Sequence, residues 1–292
     1  MQPIAPMTPA PRALPPAAGP WPWPAALRAS VGLHAVAGAA ALLIPGAAPW
    51  ALAGVVLNHA GLTAAGLWPR SRLLGPNVTR LPAAAASQGA YALTLDDGPD
   101  AEVTPQVLDL LDAHGVKASF FCIAERARAH PTLVREIIAR GHSVQNHSNR
   151  HRHTFSVSGP RRLAREIADA QARLADLTGM PPHCFRAPAG LRNPLLDPVL
   201  HAQGLHLVSW TRRGFDTRDA DPQRVLARLA GSGHRALAAG DIVLLHDGHA
   251  RRGPHGRAVL LDVLPALFER ARAAGLHAVT LQAALPPRHA HA

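Results

Sequence analysis

The sequence predicts an α/β protein organised on a parallel sheet, and three observations carry that expectation. From about Gly89 onward, short apolar runs alternate with stretches of helical character. Several of the helical stretches open on proline and end at glycine, as helix start and stop chemistry requires. The C-terminal ends of the apolar runs carry polar residues, which is where folds of this kind build their sites. Seven strands alternating with helices imply a parallel sheet, either closed as a barrel or doubly wound.

Taken in order, residues 1–26 are rich in Pro and Ala and end in Trp21-Pro22-Trp23-Pro24, which reads as a disordered or extended lead, because repeated proline removes amide donors and blocks helix. Residues 27–68 carry no charge beyond Arg28 and are interrupted by Pro45-Gly46 and Pro49, so two apolar helices are expected near Leu27–Ile44 and Ala47–Trp68. Each approaches the ~20 residues that span a bilayer, and Trp50 and Trp68 suit its interfaces. A transmembrane hairpin is the favoured reading. A cleaved signal peptide and a soluble helical hairpin compete with it. Residues 69–88 read as a linker whose end, Leu81 to Gly89, is made of small residues. The main domain covers 89–285, and 286–292 form a tail. Within the domain, strands are expected at Tyr91–Leu95, Ala118–Ile123, Ser143–Asn146, Cys184–Arg186, His206–Trp210, Ile242–His246 and Ala278–Leu281. Helices are expected at Thr104–His114, Pro131–Arg140, Pro160–Leu177, Pro194–Gln203, Pro222–Leu237 and Val259–Ala274.

All 19 acidic residues lie from Asp96 onward, and the net charge is +11. Such a balance raises nucleic acid as a partner. The basic residues are nearly all arginine, however, and they are scattered and not interleaved with aromatics, which argues against it. Arg12 and Arg28 precede the apolar hairpin, Arg70, Arg72 and Arg80 follow it, and the turn is uncharged. By the positive-inside rule both ends, and the domain after them, are expected on the cytoplasmic side, whereas a single spanning helix would reverse this and place the domain in the periplasm. Cys122 and Cys184 show no metal-binding spacing and read as buried thiols.

The strand ends supply the chemistry. The first strand stops at Asp96-Asp97-Gly98-Pro99, and neighbouring strand residues face opposite ways. One carboxylate can therefore hold a metal while the other takes a proton from water. After the third strand, His147 and His151 are spaced to share one side of a helical turn. With Asp97 they make two nitrogens and one oxygen, the composition of an open catalytic metal site. His142 and His153 read as surface residues. Arg186, before Pro188-Ala189-Gly190, needs a carboxylate partner, and Asp96 is the obvious one; the loop can aim a backbone amide at the metal site. His246 ends the sixth apolar run as a general-acid candidate kept protonated by Asp216, whereas Asp247 points elsewhere.

In this order Thr-Leu-Asp-Asp-Gly-Pro, His-Ser-x-x-His, Arg-x-Pro-x-Gly, a segment from Trp210 to Asp216, and Leu-Leu-His resemble the NodB-homology polysaccharide deacetylases, carbohydrate esterase family 4, over roughly residues 89–285. The resemblance implies a (β/α)7-type distorted TIM-like barrel preceded by the apolar hairpin. It also implies a divalent metal, zinc first with cobalt or nickel accepted, held by Asp97, His147 and His151. Asp96 would be the base and Arg186 would orient it. His246 would be the acid, oriented by Asp216. Ala189 would offer its amide to the oxyanion, with Leu244 and Trp210 walling the acyl pocket.

The activity implied is removal of an N-acyl group, most simply acetyl, from an amino sugar in a polysaccharide or lipid-linked glycan at the inner membrane of a bacterium. Deformylation of a lipid-linked amino sugar and O-acetyl ester hydrolysis use the same machinery, and a non-catalytic glycan-binding protein is the alternative of another class. Leu95, Ala189 and Thr217 depart from the aromatic residues usual at these positions, which leaves the catalytic groups intact and bears on the substrate.

Overall fold

The computed structural model describes residues 19–253 and 255–288, so the Pro/Ala-rich lead as far as residue 18 and the tail from 289 lie outside the described residues. Eight short strands form one parallel sheet: β1 (Ala90–Asp96), β2 (Ala118–Cys122), β3 (Ser143–Asn146), β4 (Cys184–Phe185), β5 (His206–Leu207), β6 (Arg212–Arg213), β7 (Ile242–His246) and β8 (His277–Ala278). Their order is β5-β4-β3-β2-β1-β7-β6, with β8 beside the start of β1. β1 is central and all seven of its residues are buried, which is why it reads as a continuous apolar run.

The connectivity forces the sheet to curl. β5 and β6 sit at opposite ends of the strand order, yet only residues 208–211 separate them. A flat arrangement would hold those strands roughly 29 Å apart at ~4.8 Å per strand, and the connecting chain reaches about 17 Å at most. The sheet therefore closes toward a barrel, as expected from the resemblance. The remaining gap is filled by Val78, which accepts from the Ser209 amide at 2.8 Å and donates to Leu207 O at 2.9 Å.

Strand parity then decides what faces the interior. Tyr91, Leu93 and Leu95 of β1, with Val243 and Leu245 of β7, point outward into the main core under the helices Val103–Ala113, Pro131–Ala139 and Val259–Ala273. Ala90 and Ala92, with Ile242 and Leu244, point into the barrel, where they meet Phe121, Cys184 and Trp210. Because side chains alternate along a strand, Asp96 and His246 inherit the inward direction of Ala92 and Leu244. The register sets Asp96 level with Phe121 and His246, and Asn146 level with Phe185, so the C-terminal ends align at one rim.

Several expectations need correction. Arg212–Arg213 is a strand that no apolar pattern announces. The last strand is His277–Ala278, not Ala278–Leu281, because Thr280 caps a short helix, Leu281–Ala284, through the Ala283 amide. The helix expected over Pro222–Leu237 ends at Ala230. The helix Ala124–Ala129 follows β2 unannounced. The 69–88 segment is packed rather than loose: Leu74, Asn77 and Leu81 are buried, and Ala83–Ala86 is a helical turn. His142 is buried, not a surface residue, because its Nδ1 accepts the Ala118 amide at the start of β2.

Before the barrel, α1 (Ala25–Leu43) and α2 (Ala48–Leu67) form an antiparallel hairpin. Both are long and apolar enough to cross a membrane, with mean hydropathies of 1.5 and 1.3. Large apolar side chains are exposed along both helices, including Val36, Leu42, Trp50 and Leu57. His34 Nε2 lies 3.1 Å from His59 Nε2, and Asn58 donates to Ser30 Oγ at 2.8 Å, pinning the helices together. The base of the hairpin packs on the barrel domain, where Leu27 and Ala65 meet Leu74.

Leu93 is fully buried between β2, β7 and the outer helices. Leu93→Ala is expected to lower stability by about 2–5 kcal/mol, read as a shift of the urea midpoint at unchanged slope.

Candidate active site

The rim at the strand ends is built from unusual backbone. Among the described residues, the non-glycine positions with positive φ are Asp97, Ser148, His151, Ala189 and Phe215, and all lie in loops at this rim. Such conformations are costly for residues with a Cβ and tend to collect where function over-determines them. They explain one difference from the sequence reading. His147 and His151 do not share a helical turn. They converge because the chain turns left-handed at Ser148 and again at His151, and Ser148 Oγ accepts the His151 amide at 3.0 Å.

Asp97 Oδ1 lies 3.3 Å from His147 Nε2 and 3.2 Å from His151 Nε2. It is buried and has no hydrogen-bond partner. His147 Nδ1 lies 2.9 Å from Arg186 O, a group that only accepts, so Nδ1 carries the proton and Nε2 presents its lone pair to the same point. One ligand atom from each of Asp97, His147 and His151 lies within 4.8 Å of the others. An orphaned carboxylate oxygen facing two imidazole nitrogens fits a divalent metal ion, and the mixed nitrogen and oxygen set suits zinc and its neighbours.

Asp96 points inward and is fixed by Arg186. The guanidinium is 1% exposed. It donates to Asp96 Oδ1 at 2.6 Å and Thr94 Oγ1 at 2.9 Å from Nη1, to Ser209 O at 2.9 Å from Nη2, and to Val208 O at 3.2 Å from Nε. Its plane lies 4.0 Å from the Phe121 ring centre. Opposite, His246 Nδ1 pairs with Asp216 Oδ1 at 2.9 Å, while the His246 amide donates to Asp216 Oδ2 at 2.7 Å. Asp216 is fully buried, and the pairing leaves Nε2 of His246 for the pocket.

The charges bias one another. Burial alone would raise the Asp97 carboxyl, but the close approach of His147, a hydrogen bond from His249 and the charge of His151 outweigh it and hold Asp97 well below the usual carboxylate range. Burial opposes protonation of His147, and the neighbouring Asp96 and Asp97 overcome it, so its pKa is raised. His151 goes the other way, to about 4, through burial and the nearby His147. For His246 burial is overcome by the Asp216 carboxylate and, more weakly, by Asp96 and Asp97, which raises it.

These groups surround a cavity of about 480 Å³ whose walls include Asp96, Asp97, His147, His151 and His246, with Ala189, Trp210 and Leu244. Arg186 and Asp216 stand behind it, each holding a group that lines it. Asp247 does turn away. Its Oδ2 accepts from Thr104 Oγ1 at 2.6 Å, and burial lifts its carboxyl to about 7.

Three neighbours escaped the sequence reading. His249 Nδ1 lies 3.0 Å from Asp97 Oδ2, and Arg126 Nη2 lies 2.9 Å from His249 Nε2. Since Arg126 can only donate, Nε2 accepts and Nδ1–H donates to the carboxylate. Arg213 stacks 5.2 Å from the Trp210 ring and 4.8 Å from Phe215 at the pocket edge. His249, three residues past the strand-end His246, carried the one available signal, a second imidazole in the same loop.

The polysaccharide deacetylase family model matches residues 83–208. A peptidoglycan-N-acetylglucosamine deacetylase of Bacillus cereus is 34% identical over 199 residues, covering 68% of this chain and 89% of the relative. A chitooligosaccharide deacetylase of Sinorhizobium fredii is 35% identical over 158 residues, covering 53% of this chain and 71% of the relative. The crystal structure of a peptidoglycan N-acetylglucosamine deacetylase superposes with a TM-score of 0.63 at 26% identity, over 72% of this chain and 92% of that one. With nearly the whole length of the Bacillus cereus relative matched, the chain belongs to the polysaccharide deacetylase family.

Proposed function

We propose that the protein is a membrane-anchored, metal-dependent hydrolase that removes N-acetyl groups from an N-acetylglucosamine-containing glycan. The observation that carries this reading is the convergence, in one pocket, of the Asp97, His147 and His151 donor set with an Arg-held carboxylate on one side and an Asp-held imidazole on the other. The names of the relatives, acting on peptidoglycan and chitooligosaccharides, support an amino-sugar substrate.

A divalent ion held by Asp97, His147 and His151 would supply Lewis acidity, polarising the acyl carbonyl and lowering the pKa of water toward ~7. Asp96, aimed by Arg186, accepts the proton of the attacking water as its oxygen bonds to the acyl carbon. The backbone amide of Ala189, on the loop lining the pocket, is the donor for the developing oxyanion. His246 then gives its Nε2 proton to the sugar nitrogen as the carbon–nitrogen bond breaks, releasing acetate and a free amine. Asp216 holds the ring so that the charged form survives burial. Leu244 and Trp210 wall the space for the acyl methyl. Thr217 and the exposed Ala189 leave the outer pocket open for a glycan.

The hairpin supports anchoring, and the arginines flanking it with an uncharged turn between favour a cytoplasmic domain. The pocket edge adjoins the hairpin base, since Ser209 Oγ donates to Pro69 O at 2.6 Å and Arg70 Nη1 donates to Thr211 O at 3.4 Å. A glycan attached to a membrane lipid is therefore the substrate form that this placement favours.

The direct test is metal analysis of the purified full chain together with acetate release from N-acetylglucosamine oligomers. Asp97→Ala is expected to lose both metal and activity. Asp96→Asn is expected to keep the metal and lose roughly 10²–10⁴-fold in kcat. A metal-free wild-type protein, or an Asp96→Asn variant of undiminished rate, would sink the mechanism.

His246 acts as an acid only while protonated, and its raised pKa keeps it so until pH rises through that value. Replacing Asp216 removes the strongest group that raises it and leaves only the weaker pull of Asp96 and Asp97 against burial, which lowers it. Asp216→Asn should therefore move the alkaline limb of the kcat/KM profile to lower pH, whereas a purely structural role would lower the rate without moving the limb.

Full-length protein is expected to stay with the membrane pellet after alkaline carbonate washing, and a chain lacking residues 1–68 is expected in the supernatant. Recovery of the full chain in the supernatant would remove the anchoring role.

A further inference from the structure

A second cavity, of about 520 Å³, lies where the hairpin meets the barrel domain and shares no lining residue with the catalytic pocket. Trp21, Trp23, Leu27 and Leu62 form its apolar side, and Arg192 and Leu195 face them from the domain. No acidic residue lines it among the described residues. Arg192 is 4% exposed. Its Nη2 donates to Ser71 O at 2.5 Å, whereas Nε and Nη1 have no hydrogen-bond partner. Asp197, the acid that acts on it electrostatically, is already engaged by Arg288 at 3.3 Å and by Trp21 Nε1 at 2.8 Å. A buried guanidinium with two unsatisfied nitrogens is strongly disfavoured unless something anionic completes it, and the planar donor fork of arginine suits phosphate.

We propose that this groove binds a membrane lipid bearing an anionic phosphate head, with the phosphate on Arg192 and the chains along the tryptophan and leucine side. The occupant follows from two features. Among the described residues the only charged liner is cationic, and the apolar side combines Trp21 and Trp23 with Leu27 and Leu62 at the base of helices long and apolar enough to cross a membrane. Lipid phosphates lie at the level of such helix ends, and the chains continue along the hairpin surface. The proposal rests on the membrane-hairpin reading and not on the hydrolytic mechanism. It also places the lipid beside the site, because the Arg192 amide donates to Gly66 O at 3.1 Å, two residues beyond Gly190 at the pocket wall.

The test uses the full chain in dodecyl maltoside, with intrinsic tryptophan fluorescence as the readout and three probes: dioctanoyl phosphatidic acid, dioctanoylglycerol and inorganic phosphate. The phosphatidic acid should give a saturable change at least tenfold tighter than the diacylglycerol, and inorganic phosphate should give none over the same range. Arg192→Gln should weaken phosphatidic acid binding at least tenfold. Because Arg192 also ties down Ser71, a second pair guards against misfolding. Val157 lines the groove and is 79% exposed. Val157→Glu should weaken binding and Val157→Lys strengthen it, a reversal of sign that a packing effect would not produce. Equal affinity for the two lipids, saturation by inorganic phosphate alone, or the same sign for both Val157 variants would overturn the proposal. Acetate release measured on the same preparations separates the two readings. Release without head-group discrimination removes the groove alone, and discrimination without release removes the deacetylase alone.

Discussion

The barrel interior depends on one charged group, the Arg186 guanidinium. It enters from the end of β4, bonds to Thr94 and Asp96 on β1, lies over Phe121 of β2, and donates to the carbonyls of Val208 and Ser209 beyond β5. Those carbonyls belong to the stretch that must bend across from one sheet edge to the other. The side chain therefore closes the barrel and aims a carboxylate at once. Removing one member of such a buried pair typically costs about 3–5 kcal/mol, because the other is left uncompensated. Function and fold share this interaction, and neither can be changed without the other.

Around that fixed point, the pocket separates opposite tasks by pairing unlike groups. Asp96 has a permanent cation behind it, which fixes the direction of its carboxylate. His246 has a fully buried carboxylate behind it, and so stays charged and able to donate one. Asp97 sits between imidazoles with one oxygen left unsatisfied, a poor arrangement for a hydrogen-bonded network and a good one for an ion. The adjacent carboxylates diverge because the chain leaves the strand between them: Asp96 keeps strand geometry, whereas Asp97 turns left-handed at a φ of 72°.

Much of this was legible in the sequence because parity is legible. Once Tyr91–Leu95 and Ile242–His246 are read as strands, the pairing of Asp96 with Arg186 and of His246 with Asp216 needs only the knowledge that strand ends share a rim. What escaped lacked a local signal. β6 is two arginines, one held to Asp241 by an ion pair and the other stacked on Trp210, so its strand character comes from neighbours and not from apolar pattern. The approach of His147 to His151 depends on two left-handed residues that no spacing rule anticipates. His142 is buried because its ring satisfies a backbone amide, a long-range partner invisible along the chain.

The hairpin alters the catalytic domain as well as preceding it. A Cβ on Gly190 would come within 2.8 Å of the Pro69 ring and 2.5 Å of Trp210, and the residue has a φ of 74°. The loop at this point thus packs against Pro69, just beyond α2, and against the Trp210 indole, leaving no room for a side chain at 190. Ala189, one residue earlier, is exposed at the pocket rim. Pro69 reaches this loop from outside the barrel, from the segment that follows the hairpin. This contact fixes where the pocket opens relative to the base of the hairpin. A glycine at 190 is thus demanded by the close approach of the segment that follows the hairpin.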